Sequence, residues 1–71
     1  MDVTEALGEV DRALDRSVLA GLTEVRIIHG VGTGALRAAV QKHLKTHPQV
    51  ESQRQGEGHE GGRGVTVARL R

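Results

Sequence analysis

A chain of 71 residues without Phe, Trp, Tyr or Cys forms one domain at most, with a core drawn from Val, Leu, Ile and Ala and no disulfide to brace it. A domain this short buries only about 60% of the surface its unfolded chain exposes, so it gains from a partner: a second copy, a larger parent protein or nucleic acid. Net charge is +1, no run is long and apolar enough to cross a membrane, no signal peptide opens the chain, and the lack of cysteine fits a cytoplasmic protein.

The first element expected is a helix over about residues 3–20. Asp2 and Glu5 have capping-box spacing, with Asp in place of Ser or Thr. Val3, Ala6, Leu7, Val10, Ala13, Leu14 and Val18 recur at helical spacing, and Gly21 is a natural stop. Residues 24–29 read as a strand carrying Val25, Ile27 and Ile28, with Arg26 between apolar neighbours on a partly open face. A second helix opens at Thr33 or Gly34, buries Leu36, Ala39, Val40 and Leu44, leaves Arg37, Lys42 and Lys45 largely outside that stripe, and ends at His47-Pro48. Residues 49–54 alternate weakly as a strand. Residues 55–63, with Gly56, Gly58, Gly61 and Gly62, read as a flexible loop, and residues 64–70 as a last strand with Val65 and Val67 on one face.

The order helix, strand, helix, strand, strand predicts a small α/β protein, a two-layer α+β sandwich. A right-handed crossover would join two parallel strands, and the glycine loop would close a hairpin. Three strands against two helices leave room for one more strand before Met1, from a longer form of the chain or from another molecule; such an edge also invites a homodimer or strand exchange.

Between the first strand and the second helix stands His29-Gly30-Val31-Gly32-Thr33-Gly34, followed by Ala35-Leu36-Arg37. Three alternate glycines at that junction leave backbone N–H groups uncovered by Cβ atoms, at a helix N-terminus where the macrodipole favours an anion. Such a turn can hold a phosphate with a titratable ring beside it. His29 is the candidate catalytic residue, as general acid or base or as a phosphate partner; the plainer reading is a histidine that bonds a backbone carbonyl. Gly30, Gly32, Thr33 and Gly34 are candidate phosphate-binding residues, and the plainer reading of the glycines is a tight connection. Arg26, Arg37 and Lys42 are candidate phosphate contacts, each also readable as a solvated surface charge.

Charge is uneven along the chain. Residues 1–24 carry six acids against Arg12 and Arg16, and residues 25–71 carry eight bases against Glu51, Glu57 and Glu60. A basic half that contains a phosphate-type turn suits nucleic acid, although a helix with a solvated acidic face gives the same asymmetry. His43 and His47 have the helical spacing of two metal ligands, but no Glu follows His43, and a position near a helix C-terminus accounts for both. His59 carries no signal.

Two other function classes stay open at this point. Gly30, Gly32 and Ala35 fit a loose dinucleotide fingerprint, with Glu51 near the distance of a ribose-binding acid, but the chain is far too short for a Rossmann domain. A P-loop fails because no Lys-Ser/Thr pair follows Gly34. The remaining class is a structural module that contacts protein alone.

The run from Glu24 to Arg37, together with His47-Pro48, the glycine loop and Gly64-Val65-Thr66-Val67, resembles the Smr (small MutS-related) domain over nearly the whole chain. In detail it is most similar to the version at the C-terminus of the second bacterial MutS paralogue, an ATPase. The resemblance implies a β-α-β-α-β-β fold similar to the C-terminal domain of translation initiation factor three, and a single domain over residues 1–71 belonging to a larger MutS-related protein. It implies a nicking endonuclease acting on branched or double-stranded DNA by phosphodiester hydrolysis, with water as nucleophile and a divalent metal, Mg or Mn, in support. It further implies a link to DNA repair and suppression of homologous recombination, with RNA or the ribosome as targets of some members. The His-Gly-x-Gly-x-Gly element, here His29, Gly30, Gly32 and Gly34, lines the family's nucleic-acid face. The family's first motif, a Leu-Asp-Leu-(Arg or His)-Gly strand linked to cleavage, is absent from this sequence, so binding is expected to outlast catalysis.

Overall fold

The computed structural model describes residues 2–71. Asp2 starts the first helix, α1 (Val3–Leu19), by accepting the Glu5 N–H at 2.8 Å on its carboxylate, which satisfies one of the free donors of the first turn. Ala6, Val10 and Leu14 follow at four-residue spacing and form its buried stripe. Next come β1 (Glu24–Ile28), α2 (Ala35–Lys45) with Val40 and Leu44 buried, β2 (Val50–Gln55) and β3 (Val65–Leu70). The sequence-based boundaries differ from these by one or two residues at the element ends.

The sheet order is β1-β3-β2, with β3 antiparallel to both neighbours. β1 and β2 therefore point the same way, as the crossover through α2 requires, but they are not adjacent: the last strand slots between them. β3 takes the middle because it alone is buried on both faces, Arg69 excepted. Toward the helices, Ala68 and Leu70 join Val10, Leu14, Ile27, Val40, Leu44 and Val50 in one core. Val65 and Val67 sit on the reverse face, where the glycine loop covers Val65 closely enough that a Cβ at Gly61 would clash with it. The outer edges of β1 and β2 are unpaired among the described residues.

The segment read as a flexible loop has structure of its own. Two short 3-10 turns, Gly58–Glu60 and Gly62–Gly64, fill most of it. Their footing is Glu60, whose carboxylate accepts the Glu57 N–H at 2.8 Å and both terminal nitrogens of Arg54, at 2.7 and 3.0 Å. The Arg54 guanidinium, helped by that N–H, pulls the Glu60 carboxyl down from 4.5 to about 2. Glycine count argued for flexibility; a capping box and a bidentate ion pair override it.

Two measurements check this account. Leu14 is fully buried at the centre of the core, so Leu14→Ala should cost about 2–5 kcal/mol in chemical denaturation, a large share of what so small a domain holds. A carboxyl depressed in the folded state stabilises fully above its unfolded value of 4.5, and that contribution fades as pH falls toward 2. Glu60→Gln should therefore flatten the fall in urea midpoint across that acid interval; an unchanged profile would mean the clasp contributes nothing.

Candidate functional site

The site grows from the way the chain leaves β1. After Ile28 it turns into α2 through Gly30, Gly32 and Gly34, all left-handed at φ +76°, +39° and +86°. No heavy atom lies within 4 Å of where a Cβ on Gly30 or Gly32 would stand. Glycine is required there by backbone conformation and not by crowding, and the turn faces open space. Its base is fixed to the central strand side: the N–H groups of His29 and Gly30 both donate to the Gly64 carbonyl at 3.0 Å. Within the turn the Gly34 N–H donates to the Val31 carbonyl at 3.1 Å, and Thr33 Oγ1 accepts from Ala35 N–H at 3.3 Å. The N–H groups of Val31, Gly32 and Thr33 have no protein acceptor among the described residues. The Arg37 guanidinium lies beside the last glycine of the turn, with Nη2 3.8 Å from where a Cβ on Gly34 would stand. Unspent amides beside a guanidinium at a helix N-terminus are a donor set that suits an oxyanion.

His29 is held at both ring nitrogens. Nδ1 lies 2.8 Å from the Gly30 carbonyl and Nε2 2.8 Å from Thr66 Oγ1. A carbonyl only accepts, so Nδ1 carries a proton and donates it; in the neutral ring Nε2 then accepts from the Thr66 hydroxyl. The backbone-carbonyl role weighed in the sequence is thus present, together with a second bond that sequence reasoning missed. Thr66 is 1% exposed on the helix-facing side of β3, 37 positions from His29, and no local pattern marks the pairing.

The other sequence candidates divide. Gly30, Gly32, Thr33, Gly34, Arg37 and His29 come together at the turn. Arg26 reaches the neighbouring cleft of about 350 Å³ on the α1 side of β1, which His29, Glu9, Arg16, Leu36 and Val40 also line. Lys42 does not join them: two turns along α2, it faces a separate groove against β2.

His43 and His47 meet Asp11 of α1. His43 Nε2 donates to Asp11 Oδ1 at 2.7 Å, and His47 Nε2 points at the same oxygen from 3.5 Å. His47 Nδ1 accepts the Gln49 N–H at 3.1 Å, so its Nε2 bears the proton and cannot ligate a metal in that form. The pair clasps the two helices together. Among the described residues no three His, Asp or Glu side chains are grouped to hold a metal ion. Near the turn both His29 nitrogens are engaged, and Glu9, the acid lining the cleft, is paired with Arg12. These residues do not fit a divalent-metal site.

The comparisons with known proteins identify the family and the fold. The family model of the Smr domain matches residues 1–71. The chain belongs to the Smr domain family. It is 62% identical over 69 residues to Endonuclease MutS2 of Symbiobacterium thermophilum, and 52% identical over 71 residues to Endonuclease MutS2 of Clostridium tetani. Those alignments cover 97% and 100% of this chain but only 9% of each relative, so the chain spans less than a tenth of their length. The Smr domain of Thermus thermophilus MutS2 superposes with a TM-score of 0.95 at 48% identity, covering all of this chain and 89% of that one. YdaL, a stand-alone small MutS-related protein from Escherichia coli, gives 0.92 at 27% identity, covering 100% of this chain and 59% of its own. The Smr fold is therefore the scaffold of the glycine turn.

The ring bonds make a spectroscopic prediction. In the neutral protein, nitrogen NMR of the imidazoles should show His29 as the Nδ1–H tautomer and His47 as the Nε2–H tautomer, and Thr66→Val should broaden or shift the His29 signals alone. The opposite assignment for His29 would break the proposed hydrogen-bond chain.

Proposed function

We propose that this chain is the polynucleotide-binding part of an endonuclease that nicks DNA by phosphodiester hydrolysis. The observation that carries the reading is the turn itself: three left-handed glycines leave the Val31, Gly32 and Thr33 N–H groups without a protein acceptor, with the Arg37 guanidinium beside Gly34. The names of the MutS2 relatives support an endonuclease and a place within a larger MutS-type protein; an ATPase in that parent and a part in DNA repair and control of recombination belong to the same proposal.

The residues divide the work by chemistry. Free amides bind the non-bridging oxygens of a phosphodiester, and they gain strength as negative charge builds there in the transition state. Arg37 neutralises the same oxygens and fixes their orientation. His29, pinned between Gly30 and Thr66, holds an imidazole beside the turn, and its ring must release the Thr66 hydroxyl before Nε2 can take a proton from water or substrate. The attacking water needs a base, and the acidic and basic residues of the family's first motif are absent from this sequence. The open outer edge of β1 beside the His29 cleft is where a further strand would bring them.

The test separates binding from cleavage. With duplex DNA, Arg37→Gln and His29→Ala should each weaken binding, and Arg37→Gln should lower the salt slope by about one unit. Nicking of supercoiled plasmid is followed in parallel for the 71-residue chain and for a form extended at its N-terminus by a first-motif strand, so that cleavage is read apart from binding. Undiminished affinity and salt slope in Arg37→Gln would sink the reading. Running RNA duplexes beside DNA decides between the two targets.

A further inference from the structure

Lys42, which the turn does not claim, belongs to a surface of its own. α2 contains no acidic residue. At 3.6 residues per turn Gly34, Ala38, Gln41, Lys42 and Lys45 fall on one side of it, a run of about 16 Å that starts at the glycine turn. Ala38, Lys42 and Lys45 are exposed along that side. Between it and β2 lies a groove of about 530 Å³, lined by Ala38, Gln41, Lys42 and Lys45 from α2 and Gln53, Arg54 and Gln55 from β2. No carboxylate lines it. Its floor is polar: Gln53 Nε2 donates to the Gln41 carbonyl at 2.6 Å, and Gln53 Oε1 has no partner among the described residues.

The cations of the groove are not equivalent. Arg54 is committed to Glu60, as Arg12 is to Glu9 and Arg69 to Glu51. Lys42 and Lys45 have no ion-pair partner among the described residues. Two uncompensated ammonium groups one helical turn apart, over an amide floor, suit a polyanion with repeating charge.

We infer that this groove is a second stretch of the polynucleotide track, in which a sugar–phosphate backbone held at the glycine turn runs on past Ala38 and is held again by Lys42 and Lys45. The inference rests on the proposed binding at the turn. Continuity favours a polynucleotide over an acidic peptide, because the turn and the lysines share one helix side and the small, exposed Ala38 between them lets a strand lie close. The chain has no Phe, Tyr or Trp, and no ring of any kind lines the groove, so this track grips backbone and not sequence.

The test titrates the 71-residue chain with fluorescent duplex DNA at several salt concentrations, comparing wild type, Lys42→Gln/Lys45→Gln and Arg37→Gln. Exposed lysines should be replaceable without loss of fold, checked by thermal melts. The double variant should lose about two units of salt slope, roughly 0.9 for each phosphate contact removed. If Arg37→Gln weakens binding while the double variant keeps the wild-type slope, the track is wrong and the turn stands. If wild type binds no duplex but binds polyglutamate through Lys42 and Lys45, the groove is a protein-docking surface and this inference fails together with the reading it rests on.

Discussion

One carbonyl oxygen organises this molecule. Gly64, at the threshold of β3, accepts the N–H groups of both His29 and Gly30. That double bond ties the start of the glycine turn to the strand the rest of the sheet is built around. With His29 and Gly30 committed there, and Gly34 to Val31, the amides left over are the consecutive ones of Val31, Gly32 and Thr33. A turn without that anchor would spend its donors on itself or on water in many arrangements. The anchor turns glycine's conformational freedom into one fixed backbone path, and the cost of three left-handed residues is borne by glycine, the residue that tolerates it.

Charge follows a matching division. Three arginines outside α2 are paired, Arg12 of α1 by Glu9 and, on the open sheet face, Arg54 by Glu60 and Glu24 and Arg69 by Glu51, while Arg16, Arg26, Arg63 and Arg71 have no ion pair among the described residues. These exposed pairs add little stability each, but they remove positive charge from the reverse face. α2 is left without acids and with Arg37, Lys42 and Lys45 lacking ion-pair partners among the described residues. The net charge of +1 conceals this, because the field that reaches a ligand is set by which cations lack a neighbour and not by their sum.

Asp11 plays the corresponding part between the helices. His43 and His47 both present Nε2–H to it, with ring centroids 5.9 Å apart. The spacing of the two histidines is compatible with metal ligands, with helix C-terminal charge, or with this clasp. Only the Gln49 N–H on His47 Nδ1, which fixes the tautomer, separates the first from the last.

The sequence by itself determined the elements and the turn. Apolar spacing in α1 and α2, the Asp2 cap and the alternate glycines act within a few residues of one another, so their physics is readable in one dimension. Family membership was legible for the same reason, since the motif from Glu24 to Arg37 is contiguous. Tertiary structure decided what depends on distant partners: β3 between β1 and β2, Thr66 on His29, Gly64 beneath the turn, Asp11 between two histidines, and Lys42 parted from Arg37. It also gave order to the loop from Glu57 to Gly64, where an ion pair from Arg54 outweighed glycine's entropy. Local propensity fixes which segments form; burial on both faces of one strand, and hydrogen bonds that close across the fold, fix which residues meet.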